Sequence, residues 1–271
     1  MNYNKLLDCT LRDGGYINDW NFGFHTIKDI IKKLVHSQVD YVEVGFLRNC
    51  EYNRDKALFN NCGEMIPILP DKRGNTKFTA MALHNKYNIN GIAKHLITFI
   101  QKAMNKGYKV FCNPINIMGY SDEMLLQLFQ KVNLIHPYAF SIVDTFGSMM
   151  KSDLQRIYSL AEHNLDVSIV IGLHLHENLA LSYSLAQEFI SMKSPERRCV
   201  IGGSMLGMGR VPGNLCIELI MDYMNKTQGC AYDLNPVLDG IDDHIVQLKQ
   251  VEPWGYSTAY ALSARYNLHR N

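Results

Sequence analysis

Short apolar runs alternate along the chain with helix-length stretches whose apolar residues recur every three or four positions. No other feature constrains the fold as much. Runs suited to strands cover 5–10, 41–46, 78–83, 109–113, 140–145, 168–176 and 199–206, and most are nearly continuously apolar. Strands read this way when they are buried on both faces, as in a parallel sheet covered by helices. Helical periodicity fills most intervals, at 26–36, 122–135, 152–164, 180–192 and 214–224. Ser121-Asp-Glu and Ser152-Asp each offer an N-cap followed by acidic first-turn residues.

Eight strand–helix units would close a barrel, and 271 residues suit one (β/α)8 barrel of about 250. Seven strands are accounted for, and 89–94 is the remaining candidate. The interval from 83 to 89 is too short for a crossover helix, because a parallel crossover normally takes about a dozen residues or more. Either helix 3 is missing and the sheet is irregular there, or 89–94 is not a proper barrel strand; the expected fold class is α/β, an irregular TIM barrel with helix 3 missing or very short. Residues 1–230 would form the barrel domain. Residues 231–271 would form a short C-terminal appendage, a helix over 237–249 and then an aromatic, poorly periodic tail. That tail, with Trp254, Tyr256 and Tyr260, would pack on the barrel or on a partner subunit, which makes a homodimer the candidate assembly.

Composition narrows the function. Lys and Arg total 27 against 26 Asp and Glu, a net charge of +1, so no electrostatic case exists for nucleic acid or an anionic membrane surface. No apolar run approaches the ~18 residues of a bilayer span. Asp8, Arg12 and Asp13 come too early for a signal-peptide core. The seven cysteines are scattered without C-x-x-C spacing, which argues against a disulfide framework or structural zinc site and makes a reducing cytoplasm the expected location. An enzyme of small molecules fits these limits.

The strongest chemical signal is His174-Leu-His176, at the end of a strand. Residues i and i+2 share a face, and the C-terminal end of a barrel strand opens onto the mouth where active sites sit. Two imidazoles in one space make half of a divalent-metal site. Leu7-Asp-Cys-Thr-Leu-Arg-Asp-Gly-Gly15 supplies a carboxylate, Asp13, just past the first strand. In a closed barrel the strand of the histidines and the first strand are separated by one strand only, so Asp13 falls on the same arc. The loop between them reads Gly207-Met-Gly-Arg-Val-Pro-Gly-Asn214, and Asn214 can add a neutral amide oxygen. Such a set suits Mg²⁺, Mn²⁺, Co²⁺, Fe²⁺ or Zn²⁺. The glycines of this loop do not fit G-x-G-x-x-G. A phosphate at the next helix N-terminus and plain tight turns both remain compatible with it.

These segments, with Val42-Glu-Val-Gly-Phe46 and Val143-Asp-Thr-Phe-Gly147, occur in one order over about residues 5–225. Together they resemble the DRE-TIM metallolyase superfamily, which includes 4-hydroxy-2-oxovalerate aldolase, 3-hydroxy-3-methylglutaryl-CoA lyase and the isopropylmalate and homocitrate synthases. Asn113-Pro-Ile-Asn-Ile-Met-Gly-Tyr-Ser121 and Trp254-Gly-Tyr-Ser257 resemble its aldolase-like branch found with surface-polysaccharide genes.

The resemblance implies a divalent metal, Mn²⁺ or Mg²⁺ before Zn²⁺ or Co²⁺, held by Asp13, His174, His176 and Asn214. It implies a lyase or aldolase that breaks or forms a C–C bond of a 2-oxo acid through a metal-bound pyruvate-type enolate, with an aldehyde as second partner. Arg12 would stabilise the enolate oxygen. Glu43, Asp144 and Thr145 would contact substrate or orient ligands. The aldolase branch carries a histidine base where this chain has Tyr16, so Tyr16 and His95 become the candidate acid–base residues. The lyase branch carries a cysteine in the loop after the last strand, and 207–214 contains none, which disfavours thioester cleavage. A Claisen-type synthase joining an acyl-CoA to a 2-oxo acid and a non-catalytic metal- or metabolite-binding barrel are the alternatives.

Overall fold

The computed structural model describes residues 4–82, 94–210 and 212–267. The strands are β1 (Asn4–Asp8), β2 (Tyr41–Leu47), β3 (Leu58–Phe59), β4 (Lys77–Ala82), β5 (Phe111–Cys112), β6 (Ala139–Val143), β7 (Val170–His174) and β8 (Cys199–Gly203). All pair in parallel, in the order β3-β2-β1-β8-β7-β6-β5, with β4 on β2. This is the sheet of a TIM barrel. β1, β2 and β4–β8 realise the seven apolar runs, each shifted or shortened by a few residues. The expected strand at 89–94 lies outside the described residues, apart from Lys94, which opens a helix and not a strand.

The helices are α1 (Phe24–His36), α2 (Lys94–Asn105), α3 (Asp122–Ile135), α4 (Lys151–Asn164), α5 (Ser182–Met192) and α6 (Ile217–Gln228). In α1, Ile27, Ile30, Ile31 and Leu34 repeat at the i, i+3, i+4, i+7 spacing and are all fully buried against the sheet. Ser121 caps α3 by accepting the Met124 amide at 3.3 Å. Ser152 does not cap α4. The helix begins one residue earlier, and Asp153 accepts the Met150 amide at 3.0 Å instead. The helix expected from 214 begins only at Ile217, because Leu215 and Ile217 bond back to the backbone of Ser204.

The C-terminal helix is longer than expected and has an irregular middle: α7 (Asn235–Gly240), a π turn (Ile241–Ile245) and α8 (Val246–Val251). The tail is not irregular throughout. Ser257 caps α9 (Thr258–Arg265) by accepting the Tyr260 amide. Trp254 is buried, and its indole N–H donates to the Leu206 carbonyl at 2.9 Å. No helix among the described residues is long and apolar enough to cross a membrane.

One feature absent from the expected layout shapes the mouth. Gly45 sits at φ 151°, where the register of β2 against β4 shifts. This bulge lets the end of β2 take up β3 as a new neighbour, through Phe46 N–H to Ala57 O and Arg48 N–H to Phe59 O, both 2.9 Å. A Cβ at position 45 would collide with the Ala57 carbonyl. Gly45→Ala therefore combines an unfavourable φ with a backbone clash. We expect it to lower stability by about 2–4 kcal/mol in urea unfolding, and an unchanged midpoint would contradict this account of the bulge.

Candidate metal centre

After β1 the chain turns at once. The amides of Arg12 and Asp13 both donate to the Cys9 carbonyl, at 3.1 and 2.8 Å. Asp8 accepts the Thr10 amide and hydroxyl, and the Thr10 hydroxyl accepts the Met205 amide at 2.9 Å, which ties this turn to the loop after β8. Asp13 is thereby held at the mouth and almost fully buried. Its Oδ1 accepts Arg12 Nη1 at 2.8 Å. Its Oδ2 faces His174 Nε2 at 3.5 Å and His176 Nε2 at 3.6 Å. Ligands about 2.1 Å from one tetrahedral ion lie about 3.4 Å apart, so these separations suit atoms that share an ion.

Two buried oxygens report the same need. Asp13 Oδ2 and Asn214 Oδ1 both lack a hydrogen-bond partner, and buried acceptors left this way are costly. The Asn214 amide nitrogen is turned into the protein, towards the Met208 carbonyl at 3.3 Å, Ser204 Oγ at 3.5 Å and Cys9 Sγ at 3.6 Å. Its oxygen is thereby left as the free end. Gly209 is required for this pose, since any Cβ there would strike the Asn214 amide. The glycines of 207–214 thus serve close packing around a ligand residue. His176 forms a bridge with Asn214, and its Nδ1 contacts the Asp144 carbonyl at 2.8 Å. A carbonyl can only accept, so Nδ1 carries the proton and Nε2 keeps its lone pair for an ion. The donor set fits a divalent cation.

Electrostatics agree. Burial alone would raise the Asp13 carboxyl, but the Arg12 guanidinium and the two imidazoles outweigh it and hold it well below the usual range. Burial pushes His174 down to about 4 against the pull of Asp13, so it stands neutral, as a ligand must. Burial also opposes protonation of His176, but Asp13 and the Asp144 carbonyl overcome it and raise that pKa. Arg12 is buried as well, and its Nε donates to Glu43 Oε2 at 2.8 Å. Burial raises Glu43 although Arg12 opposes it.

The other expected residues fall into place unevenly. Asp144 is buried at the edge of the site, where its Oδ1 accepts the Ser148 and Met149 amides while its backbone carbonyl orients His176. Its carboxyl is raised to about 6 by burial, with His176 opposing. Thr145 is occupied in accepting the Asn116 amide at 2.7 Å. Tyr16 is 42% exposed at the mouth, edge-on to Trp20 at 4.7 Å. His95 lies in the first turn of α2, and its side chain is outside the described residues. Sequence reasoning missed Trp20. Its indole N–H donates to the Arg12 carbonyl at 2.8 Å, and its ring occupies the space that a side chain at Gly15 would fill. Gly15 was its one visible trace. A second group, Asp29, Asp243 and His244, already has its cation: Lys33 Nζ lies 2.9 Å from Asp243 and 3.7 Å from Asp29.

Fold and site together define a TIM barrel with a buried two-histidine, one-carboxylate centre at its mouth. The HMGL-like family model matches residues 75–247. The chain belongs to that family, within the DRE-TIM metallolyase superfamily. It is 21% identical over 281 residues to an oxaloacetate decarboxylase from Mycobacterium tuberculosis, covering 94% of this chain and 81% of the relative. It is 30% identical over 126 residues to a 4-hydroxy-2-oxovalerate aldolase from Marinomonas sp., covering 45% and 36%. The crystallised N-terminal domain of a candidate aldolase from Bacteroides vulgatus superposes with a TM-score of 0.81 at 24% identity, over 97% of this chain and 93% of that one.

Removing a ligand should be measurable without any substrate. Asn214→Ala and Asp13→Asn are each expected to weaken Mn²⁺ binding by at least about tenfold in calorimetry, and wild-type affinity in both would refute the centre. The pH dependence has a definite sign. His176 must lose its proton to bind, so affinity falls and proton release rises as pH drops through its raised pKa, whereas His174 adds nothing until about pH 4. Titrations in buffers of different ionisation enthalpy would detect that proton, and their failure to find any release would contradict the assignment.

Proposed function

We propose that the chain is a divalent-metal-dependent lyase of the aldolase kind, which breaks or forms the C–C bond between the carbon next to the keto carbonyl of a 2-oxo acid and the carbon beyond it. The observation that carries this reading is the pair of buried unpartnered oxygens, Asp13 Oδ2 and Asn214 Oδ1, set among two imidazoles beside a buried arginine. A divalent cation there, Mn²⁺ or Mg²⁺ for this oxygen and nitrogen donor set, supplies Lewis-acid polarisation of the carboxylate and keto oxygens of the substrate. The relatives support the choice of substrate. Decarboxylation of oxaloacetate and aldol cleavage of 4-hydroxy-2-oxovalerate both leave the bonding electron pair on the carbon next to a keto group, and that pair delocalises onto oxygen as the enolate of pyruvate.

The residues of the chain divide the remaining work. Arg12 is fixed by Asp13 and Glu43 on two of its nitrogens and presents its positive charge where the enolate oxygen gains negative charge. Glu43 holds that guanidinium in plane. Asp144 keeps His176 in the tautomer that offers Nε2. Tyr16, half-exposed beside this group, delivers the proton that converts enolate to pyruvate and removes it in the reverse direction. An aldehyde is the product of cleavage, or the acceptor when the bond forms.

Exchange of the pyruvate methyl protons with deuterium isolates this half-reaction, and NMR follows it directly. With Mn²⁺ or Mg²⁺ present, Arg12→Ala is expected to slow exchange by about 10²-fold or more. Tyr16→Phe is expected to slow it by about 10²-fold while Mn²⁺ affinity stays at the wild-type value. Exchange at the wild-type rate in Arg12→Ala would overturn the proposed function. Exchange at that rate in Tyr16→Phe would remove only the tyrosine from it.

A further inference from the structure

The strands β8, β1 and β2 are neighbours, so the loops that follow them stand side by side at the mouth. Each carries an arginine, and the three differ sharply in company. Arg12 is matched by Asp13 and Glu43, each at 2.8 Å. Arg48, at the end of β2, has no carboxylate within ion-pair distance among the described residues. The acid whose carboxyl feels it, Asp19, is ion-paired with Lys56. Arg210, on the loop after β8, is half-buried and likewise has no acidic partner there.

Arg48 is nonetheless held in place. Its amide bonds to the Phe59 carbonyl at 2.9 Å, and its guanidinium carbon lies 5.1 Å from the centre of the Trp20 ring. The same indole donates to the Arg12 carbonyl at 2.8 Å, so the guanidinium rests on a wall that adjoins the reacting group. Tyr16 and Phe46 meet that ring edge-on at 4.7 and 5.7 Å; Trp20 and Phe46 are buried, and Tyr16 offers the exposed apolar surface. An arginine held by cation–π attraction without a carboxylate partner keeps N–H groups for a ligand, in the fork geometry that matches a carboxylate or phosphate. That attraction also restricts rotamers before any ligand arrives, which lowers the entropic cost of binding.

We propose that Arg48, held over Trp20, binds a terminal oxyanion of the aldehyde partner, so that the second substrate is a short anionic aldehyde whose carbon chain lies along Tyr16. This rests on the aldolase reading. The shared chemistry is an oxyanion, and phosphate and carboxylate are its two sources.

The test compares acceptors. With pyruvate and Mn²⁺, kcat/KM is measured for glyceraldehyde 3-phosphate, for succinic semialdehyde, and for the neutral glyceraldehyde and butanal. One charged acceptor is expected to exceed its neutral counterpart by about three- to tenfold, in keeping with an exposed ion pair, and which one does so identifies the anion. Arg48→Gln should bring that ratio towards unity, Arg48→Lys should retain part of it, and high salt should erode it in the wild type. Equal rates for charged and neutral acceptors, or an Arg48→Gln variant that lowers all of them alike, would overturn the proposal. Absence of pyruvate proton exchange would instead sink the aldolase reading. Arg48 would then be judged by calorimetric binding of succinate and glycerol 3-phosphate: weaker binding in Arg48→Gln supports the oxyanion site, and equal binding refutes it.

Discussion

The arrangement at the mouth depends on a single buried carboxylate, Asp13, whose two oxygens do different things. Oδ1 is neutralised by Arg12, and Oδ2 faces two imidazoles. Taking an ion out of water costs several kcal/mol, so a buried carboxylate persists only when its surroundings repay that cost. Arg12 repays part of it, but Arg12 is itself buried and is also paired with Glu43. Arg12, Asp13 and Glu43 together carry one excess negative charge when both acids are ionised. That excess, with the orphaned Asn214 oxygen beside it, is what a divalent cation would convert to a net positive site suited to an anionic substrate.

The scaffold serves this centre by close approach more than by bulk. Gly15 admits the Trp20 ring, Gly209 admits the Asn214 amide, and Gly147, at φ 57°, admits the Asn178 side chain. The first two each let one loop fold closely on itself, and the third lets the loops after β6 and β7 pack together. Trp20 and the residue before it, Asp19, hold positive φ, a conformation that ordinary residues adopt at a cost of about 1 kcal/mol or more. Packing and the indole bond to the Arg12 carbonyl offset that cost. The indole bond thereby fixes the backbone of Arg12, the group whose placement the proposed reaction would need most.

What the sequence disclosed follows from what sequence patterns encode. Burial on both faces leaves nearly continuous apolar runs, so the strands and their order were legible. His174, His176, Asp13 and Asn214 were legible because the ends of barrel strands converge on one mouth, and the structure does bring them together. Local backbone events were not. The bulge at Gly45 and the short β3 beside it are set by two carbonyl contacts, and a two-residue strand has no periodicity to display. Trp20 is close to Arg12 in sequence, but it meets it through a turn of unusual φ that no residue pattern announces. The tail lacks clear periodicity because α9 buries little of its surface. Ser257, its cap, was the only cue available.

The C-terminal arm gives the mouth two unlike sides. Polar contacts of its last part, residues 254–267, run over loops that follow β5–β8: Asn267 to Asn116 and Ser148, Ser263 to Asn178, and Trp254 and Gly255 to the loop carrying Asn214. That is the side of the imidazole and amide donors, where tight packing preserves ligand geometry. On the side of β1 and β2, Tyr16 and Arg48 stay substantially exposed beside the buried Arg12. Under the proposed function, a 2-oxo acid would be gripped between the donors and Arg12, while its partner would approach past Tyr16. A chain of near-zero net charge needs no long-range field for this. The positive character it requires is confined to a few arginines on three adjacent loops.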